Sequence, residues 1–150
     1  MPKVPGVLEG FLPNYMTKFE IGPDKDSLFE MAEGIQSVEP ANDEETEDYT
    51  YYSHKGGKET DVTSVSRSEA FKGHRTYKND EAQEFIRNGL NSPGKGRKCY
   101  FRVTEPDGRI VEGPASFSGI VHRGGDANSR GTFEVTVTFD GLPEDKLPSN

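Results

Sequence analysis

Cysteine is almost absent from this sequence. Cys99 stands alone, so no internal disulfide can form and no Cys-rich metal site can be assembled. Apolar residues are scarce too: the AVILMFWYC set makes up 31% of the chain, against roughly 45–50%, glycine included, in ordinary soluble domains. Leu, Ile, Val and Phe together number 30 of 150 residues, a composition bordering on that of disordered chains. Part of this protein is therefore expected to gain its order from neighbours. No stretch approaches the ~18 apolar residues of a membrane helix, and the opening Met1-Pro2-Lys3-Val4-Pro5-Gly6 holds no apolar run of signal-peptide length. Synthesis in a cytoplasm, with no membrane partner, is the expectation.

Positive charge is also in deficit. A net charge of −8 argues against a protein that grips nucleic acid, because that binding is driven by Lys and Arg displacing counterions from phosphates. It leaves room for a protein that DNA slides past. The charge is segregated: residues 39–61 carry eight acids and two lysines, whereas residues 62–105 carry nine basic and five acidic side chains. Two solvated faces would explain this, and so would complementary head and tail surfaces of a self-assembling subunit.

Catalytic patterns are missing as well. Gly89-Leu90-Asn91-Ser92-Pro93-Gly94-Lys95 has phosphate-loop spacing, but Gly96 stands where Ser or Thr should hold magnesium, and the segment follows a predicted helix instead of a strand. His54, His74 and His122 lie on separate segments without metal-site spacing. Ser116 and Ser118 lack the strained G-x-S-x-G elbow of a nucleophile. The sequence nominates no catalytic residue, no metal ligand and no cofactor.

What the sequence does contain is mostly strand. At 150 residues it fits one domain. Residues 1–14, rich in Pro and Gly, read as an extended arm. Tyr15, Thr17, Phe19 and Ile21 alternate with Met16, Lys18 and Glu20, predicting a strand closed by a turn at Gly22-Pro23-Asp24. Residues 27–38 suit a short turn and then a strand ending near Val38. Residues 40–57 read as a long acidic loop bearing Tyr49, Tyr51 and Tyr52; loops of that length are functional or disordered, and tyrosines there suit a contact surface. A mobile acidic loop is the plainer alternative.

Residues 60–75 read as one long strand. Residues 80–88 are the clearest helix, with Ala82, Phe85, Ile86 and Leu90 on one face, Asn79 or Asp80 as cap and Gly89 as stop. Strict alternation then places Cys99, Phe101 and Val103, next Ala115, Phe117, Gly119 and Val121, and finally Phe133, Val135, Val137 and Phe139 on buried faces, with turns at Glu105-Pro106-Asp107-Gly108 and at residues 124–128. These elements predict a mainly β fold, an antiparallel two-sheet β-sandwich or open barrel with one flanking α-helix.

The order and spacing of several segments between about Ile35 and Pro143 resemble the tail tube, or major tail, proteins of long-tailed phages and prophages. The segments are Gly34-Ile35-Gln36-Ser37-Val38-Glu39-Pro40 with Glu44-Glu45; Tyr51-Tyr52 with Gly56-Gly57; Asp61-Val62-Thr63; Phe71-Lys72-Gly73-His74-Arg75; the helix start Asn79-Asp80-Glu81-Ala82; Gly124-Gly125-Asp126-Ala127-Asn128 with Gly131; and Phe139-Asp140-Gly141-Leu142-Pro143.

The resemblance implies a tail-tube β-sandwich over residues 15–143, six copies joined as a ring with a continuous inner barrel, and rings stacked head to tail in a virion tail assembled in the host cytoplasm. Tape-measure, tail-terminator and initiator proteins would be its other partners, and DNA would traverse the lumen without specific binding. Loop 40–57 would reach an adjacent subunit, with Asp43, Glu44, Glu45, Tyr49, Tyr51 and Tyr52 in contact and the basic Lys95, Arg97 and Lys98 as one receiving surface. Thr132, Glu134, Thr136 and Thr138 are candidates for the lumen face. Residues 144–150 form a short polar tail, with no added immunoglobulin-like domain expected. Two alternatives stay open: the tube of a contractile injection or secretion apparatus, and a monomeric ligand-binding β-sandwich displaying the tyrosines.

Overall fold

The computed structural model describes residues 9–148. Residues 1–8 of the expected N-terminal arm and residues 149–150 of the tail lie outside them. After a single 3-10 turn at Asn14–Met16, the chain forms strands β1 (Lys18–Asp24), β2 (Ser27–Glu30), β3 (Ile35–Thr50) and β4 (Lys58–His74). Helix α1 (Glu81–Asn88) follows, and then β5 (Lys98–Thr104), β6 (Ile110–Val121), β7 (Thr132–Phe139) and β8 (Glu144–Lys146).

All eight strands belong to one antiparallel sheet in the order β2-β1-β5-β6-β7-β4-β3, with β8 paired to β6. Two layers arise because this single sheet curls. Phe19 on β1 packs edge-on against Phe71 on β4 at 5.0 Å between ring centroids, although β5, β6 and β7 separate those strands in the hydrogen-bonded order. Phe101 on β5 touches both Phe71, at 5.9 Å, and Phe139 on β7, at 5.5 Å. The mainly β fold with one helix is as expected, and the barrel stays open, with β2 and β3 as its edges.

The buried faces follow the alternation where it is strict. Cys99, Phe101 and Val103, and likewise Phe133, Val135, Val137 and Phe139, are all buried. Helix α1 caps one end of the core with Ala82 and Ile86 fully enclosed, while Phe85 packs between Phe29 and Phe117 at 6.2 and 5.7 Å. Each large side chain sealed in this way contributes roughly 1.5–3 kcal/mol.

Four local readings need correction. First, Gly22-Pro23-Asp24 is not a turn: β1 runs through it, and the reversal occurs at Lys25-Asp26. Proline is tolerated because pairing with β5 ends at Gly22 and the β1/β2 register slips between Ile21 and Asp24, so no ladder hydrogen bond needs its missing N–H. Second, Tyr15 belongs to the 3-10 turn and is exposed. Third, Gly119 and Val121 are exposed while Ile120 packs on the core. Gly119 adopts φ +63 within a break in the β6/β7 register, and this bulge exchanges the faces of all that follows. Fourth, residues 27–30 are a strand, and the strand expected to end near Val38 continues to Thr50.

Residues 40–57 are therefore not an irregular loop. They form the outer half of a long β3/β4 hairpin, paired from Val38↔Phe71 to Thr50↔Lys58. Its base is fixed by a backbone contact: the His74 N–H donates to the Gly34 carbonyl at 2.8 Å, and a side chain at Gly73 would collide with that same carbonyl. The polar tail opens with β8, which pairs with residues 110–112 of β6.

Candidate assembly surface

β4 pairs with β7 only from Ser68 to His74. Beyond Arg67, the ribbon of residues 41–67 has only its own two strands as ladder partners. Counting from His74 to the end at Lys58, β4 spans about 50 Å of extended chain at roughly 3.3 Å per residue. Isolated two-stranded ribbons are marginal in water, so the geometry describes an arm suited to lie against another molecule.

The expected contact residues all fall on this arm. Asp43, Glu44 and Glu45 lie along its shaft, exposed, opposite Ser66, Val65 and Ser64. At the tip the Tyr49 and Tyr51 rings stack at 6.2 Å and 14°, and His54 meets Tyr51 edge-on at 5.8 Å. Lys55 and Gly56, at φ 51 and 92, turn the chain, leaving Tyr52 entirely exposed. Hydrogen bonds along the arm are local: Tyr49 donates to Glu47 at 2.7 Å and Thr60 to Asp48 at 2.7 Å. None of its seven carboxylates forms an ion pair with the described residues.

The basic trio is less available than its sequence suggests. Arg97 donates to the Gly89 and Leu90 carbonyls, both at 2.8 Å, satisfying backbone groups that the end of α1 leaves over. Lys98 donates to Ser116 at 2.9 Å and to Asp140 at 3.1 Å. Lys95 is exposed and makes no ion pair among the described residues.

Thr132, Glu134, Thr136 and Thr138 project from the face of β7 opposite the core. Thr136 sits between Ala70 and Ser118, and Thr138 between Ser68 and Ser116. Glu134 is 4.0 Å from Lys72. The result is a band of small hydroxyl side chains in which the charges, Glu134 with Lys72 and Asp140 with Lys98, stand as opposite pairs.

The sequence reading passed over Glu112. Its side chain is 2% exposed and takes Arg102 at 2.6 Å, Lys146 at 3.1 Å and Lys25 at 3.8 Å, while the Tyr100 hydroxyl donates to it at 3.1 Å. Burial opposes its ionisation, but Arg102, Lys146 and Tyr100 outweigh that and hold the carboxyl down at about 2. This hub ties the β1/β2 turn, β5 and β8 to β6. The turn at residues 105–108 could have signalled part of it, since that hairpin register sets Glu112 opposite Arg102; Lys25 and Lys146 come from too far along the chain.

Glu69 is the converse case. It lines a cavity of 790 Å³ between the curled halves of the sheet, with Phe19, Val38, Val103 and Phe139 on its walls. Burial pushes its carboxyl up to about 7, Arg67 pulling it down and Glu105 pushing it up. Cys99 is buried, and its thiol is driven to about 12 mainly by that burial, which keeps it protonated and unreactive. Among the described residues no group of three His, Cys, Asp or Glu side chains could hold a metal ion.

No protein-family model matches the chain, and no curated protein matches it. Among solved structures it is similar to a protein in the tail of an empty gene transfer agent particle, computed with helical refinement and C6 symmetry. The TM-score is 0.71 at 21% identity, covering 91% of this chain and 100% of that one. It is also similar to a protein in the virion of a native gene transfer agent particle, with TM-score 0.65 at 23% identity over 86% of this chain and 95% of that one. At these identities the likeness establishes a shared fold, and it extends over nearly the whole chain.

Proposed function

We propose that this chain is the repeating subunit of a phage tail tube. Six copies close into a ring, rings stack head to tail in the virion tail, and the lumen conducts DNA during ejection. The observation that carries this reading is the β3/β4 arm: residues 41–67, whose two strands pair only with one another, acidic along the shaft and aromatic at the tip. The shared fold supports it, since the similar chains lie in tail and virion particles, one of them of C6 symmetry.

The physics of the sheet agrees with the plan. The curled sheet ends in two edge strands, β2 and β3, whose unpaired backbone groups invite further strands. Joining subunits around a closed ring removes that liability within the ring. Stacking is a heterologous contact that does not close, so it generates a filament. Tape-measure, initiator and terminator proteins would set where the filament begins and ends.

The Thr-rich band of β7 is suited to the bore. Duplex DNA carries one charge per ~1.7 Å, and a basic wall would hold it through released counterions. A wall of hydroxyls with charges in opposite pairs gives no such grip, and repulsion from any excess acid fades over about 8 Å at physiological salt. The chemistry requires no catalytic group.

Deleting residues 41–56 tests the reading. The truncated protein should remain a folded monomer, while the full chain, concentrated alone or with tail initiator components, forms tubes in negative stain. Tubes of normal length from the truncated protein would contradict the role given to the arm.

A further inference from the structure

The subunit is electrically polar along its strands. β4 runs from the arm tip at Lys58 to His74, and its last residues pair with the first of β7, His74 with Thr132. The acidic arm leaves one end of the sheet. At the other end, the end of β4, the start of β7 and the end of β6 meet the last turn of α1, and arginines converge there.

Arg75 organises this end. Its backbone N–H donates to the Gly131 carbonyl at 2.8 Å, its guanidinium pairs with Glu84 of α1 at 3.0 Å, and it stacks on Tyr77 at 4.4 Å. Gly124 and Gly125, at φ 124 and 118, fold the β6/β7 connection back on itself, and Thr132 donates to the Gly124 carbonyl at 3.2 Å. The Arg123 Cα and Arg75 Cβ both lie against Gly131, 3.6 and 3.7 Å from where its Cβ would stand. Arg130 precedes Gly131, and its carbonyl lies 3.9 Å from where a Gly125 Cβ would stand, so Arg123 and Arg130 stand at the two ends of the folded connection, both exposed. Arg87 joins them from α1: with Arg123 and Arg75 it acts electrostatically on His122, whose pKa is lowered first by burial and then by these three cations.

Arg87, Arg123 and Arg130 form no ion pair among the described residues. Of the nearby acids, Glu84 binds Arg75 and the Lys78 N–H, Glu134 faces Lys72, and Asp126, exposed in the same connection, forms no ion pair among the described residues and offsets one of the three cations. Three unpaired guanidinium groups at one end of the sheet thus match seven unpaired carboxylates on an arm leaving the other. Guanidinium is the cation best shaped for carboxylate, through paired N–H donors.

We infer that Arg87, Arg123 and Arg130 are the surface on which the acidic arm of the next copy docks, in place of Lys95, Arg97 and Lys98. This rests on the tube reading and names the partner surface within it. The contact is heterologous, arm of one copy to arginine end of another, so it propagates along an axis. Since the charges begin exposed, the contact should weaken as salt shortens the screening length from about 8 Å to about 3 Å at 1 M.

Charge reversal tests it. The double variant Arg123→Glu/Arg130→Glu should remain folded by circular dichroism yet lose at least tenfold in sedimentable tubes. Glu44→Arg/Glu45→Arg, one change on each face of the ribbon, should lose as much, and the four changes combined in one chain should restore tubes. Lys95→Glu should assemble as wild type. Wild-type assembly by the Arg123/Arg130 variant, no recovery in the fourfold variant, or loss of tubes in Lys95→Glu alone would overturn the inference and leave the tube reading standing. Failure of the unaltered chain to form rings or tubes under any condition would overturn both.

Discussion

Glu112→Gln keeps the side chain's shape and removes its charge, and the structure sets how much that should cost. The carboxyl ionises at about 2 in the folded protein against an ordinary 4.5. At roughly 1.4 kcal/mol per pKa unit that difference corresponds to about 3 kcal/mol. Lys146 and Lys25 are about half exposed, and water around them screens part of it, leaving roughly 2 kcal/mol. The sign follows from linkage: a carboxyl depressed on folding stabilises the fold above its unfolded pKa, and the contribution drains away as pH falls from 4.5 towards 2. For a chain of this length 2 kcal/mol corresponds to about 4–8 °C in melting temperature. Thermal melts followed by circular dichroism on dilute protein should therefore show the Gln variant lower by that margin at pH 7, the gap narrowing steadily below pH 4.5. An equal deficit at pH 7 and pH 3, or none at either, would refute the reasoning.

Glu69→Gln should act in the opposite sense. Its folded pKa is raised to about 7, so the native carboxyl costs stability as pH rises from 4.5 through 7; the Gln variant should melt higher than wild type at pH 8 and equal to it at pH 4, and a variant less stable at pH 8 would contradict this. Val135→Asp places a carboxylate at a site 1% exposed and should cost about 4 kcal/mol or more; an unchanged melting temperature would mean the β7 faces are reversed. Gly73→Ala drives a methyl group into the Gly34 carbonyl and should cost roughly 1–3 kcal/mol with loss of protection at the His74 amide; wild-type hydrogen exchange there would show the arm's base is not so tightly built.

How far the sequence could be read depended on whether one face of an element meets a continuous core. β5, β7 and α1 do, and their periodicity named every buried residue in β5 and β7. β6 obeyed the rule until Gly119, where a positive φ shifted the register; nothing in an alternating pattern announces a bulge. The arm failed differently. Both of its faces are exposed, so neither the alternation of a half-buried strand nor an apolar run marks it, and its acids read as a loop even though the backbone is a regular hairpin. The candidate contact residues were legible because acid and tyrosine are chemically conspicuous. The receiving surface inferred for them was not: Arg97 looks free in sequence and donates to the Gly89 and Leu90 carbonyls, whereas Arg123 and Arg130 are brought near one another only when two glycines fold their connection back. Glu112 was hidden for the same reason, its cations arriving from positions 25, 102 and 146.

The central claim is that an isolated subunit is unfinished and its arm becomes ordered against a sibling. Amide hydrogen exchange over residues 41–67 tests this most directly, measured on dilute protein and again on sedimented assemblies. The arm should exchange rapidly in dilute protein, slow by orders of magnitude on assembly, and do so while the amides of β5 and β7 change little. Equal exchange of the arm in both samples, or protein that never sediments at any concentration with or without initiator components, would contradict the account.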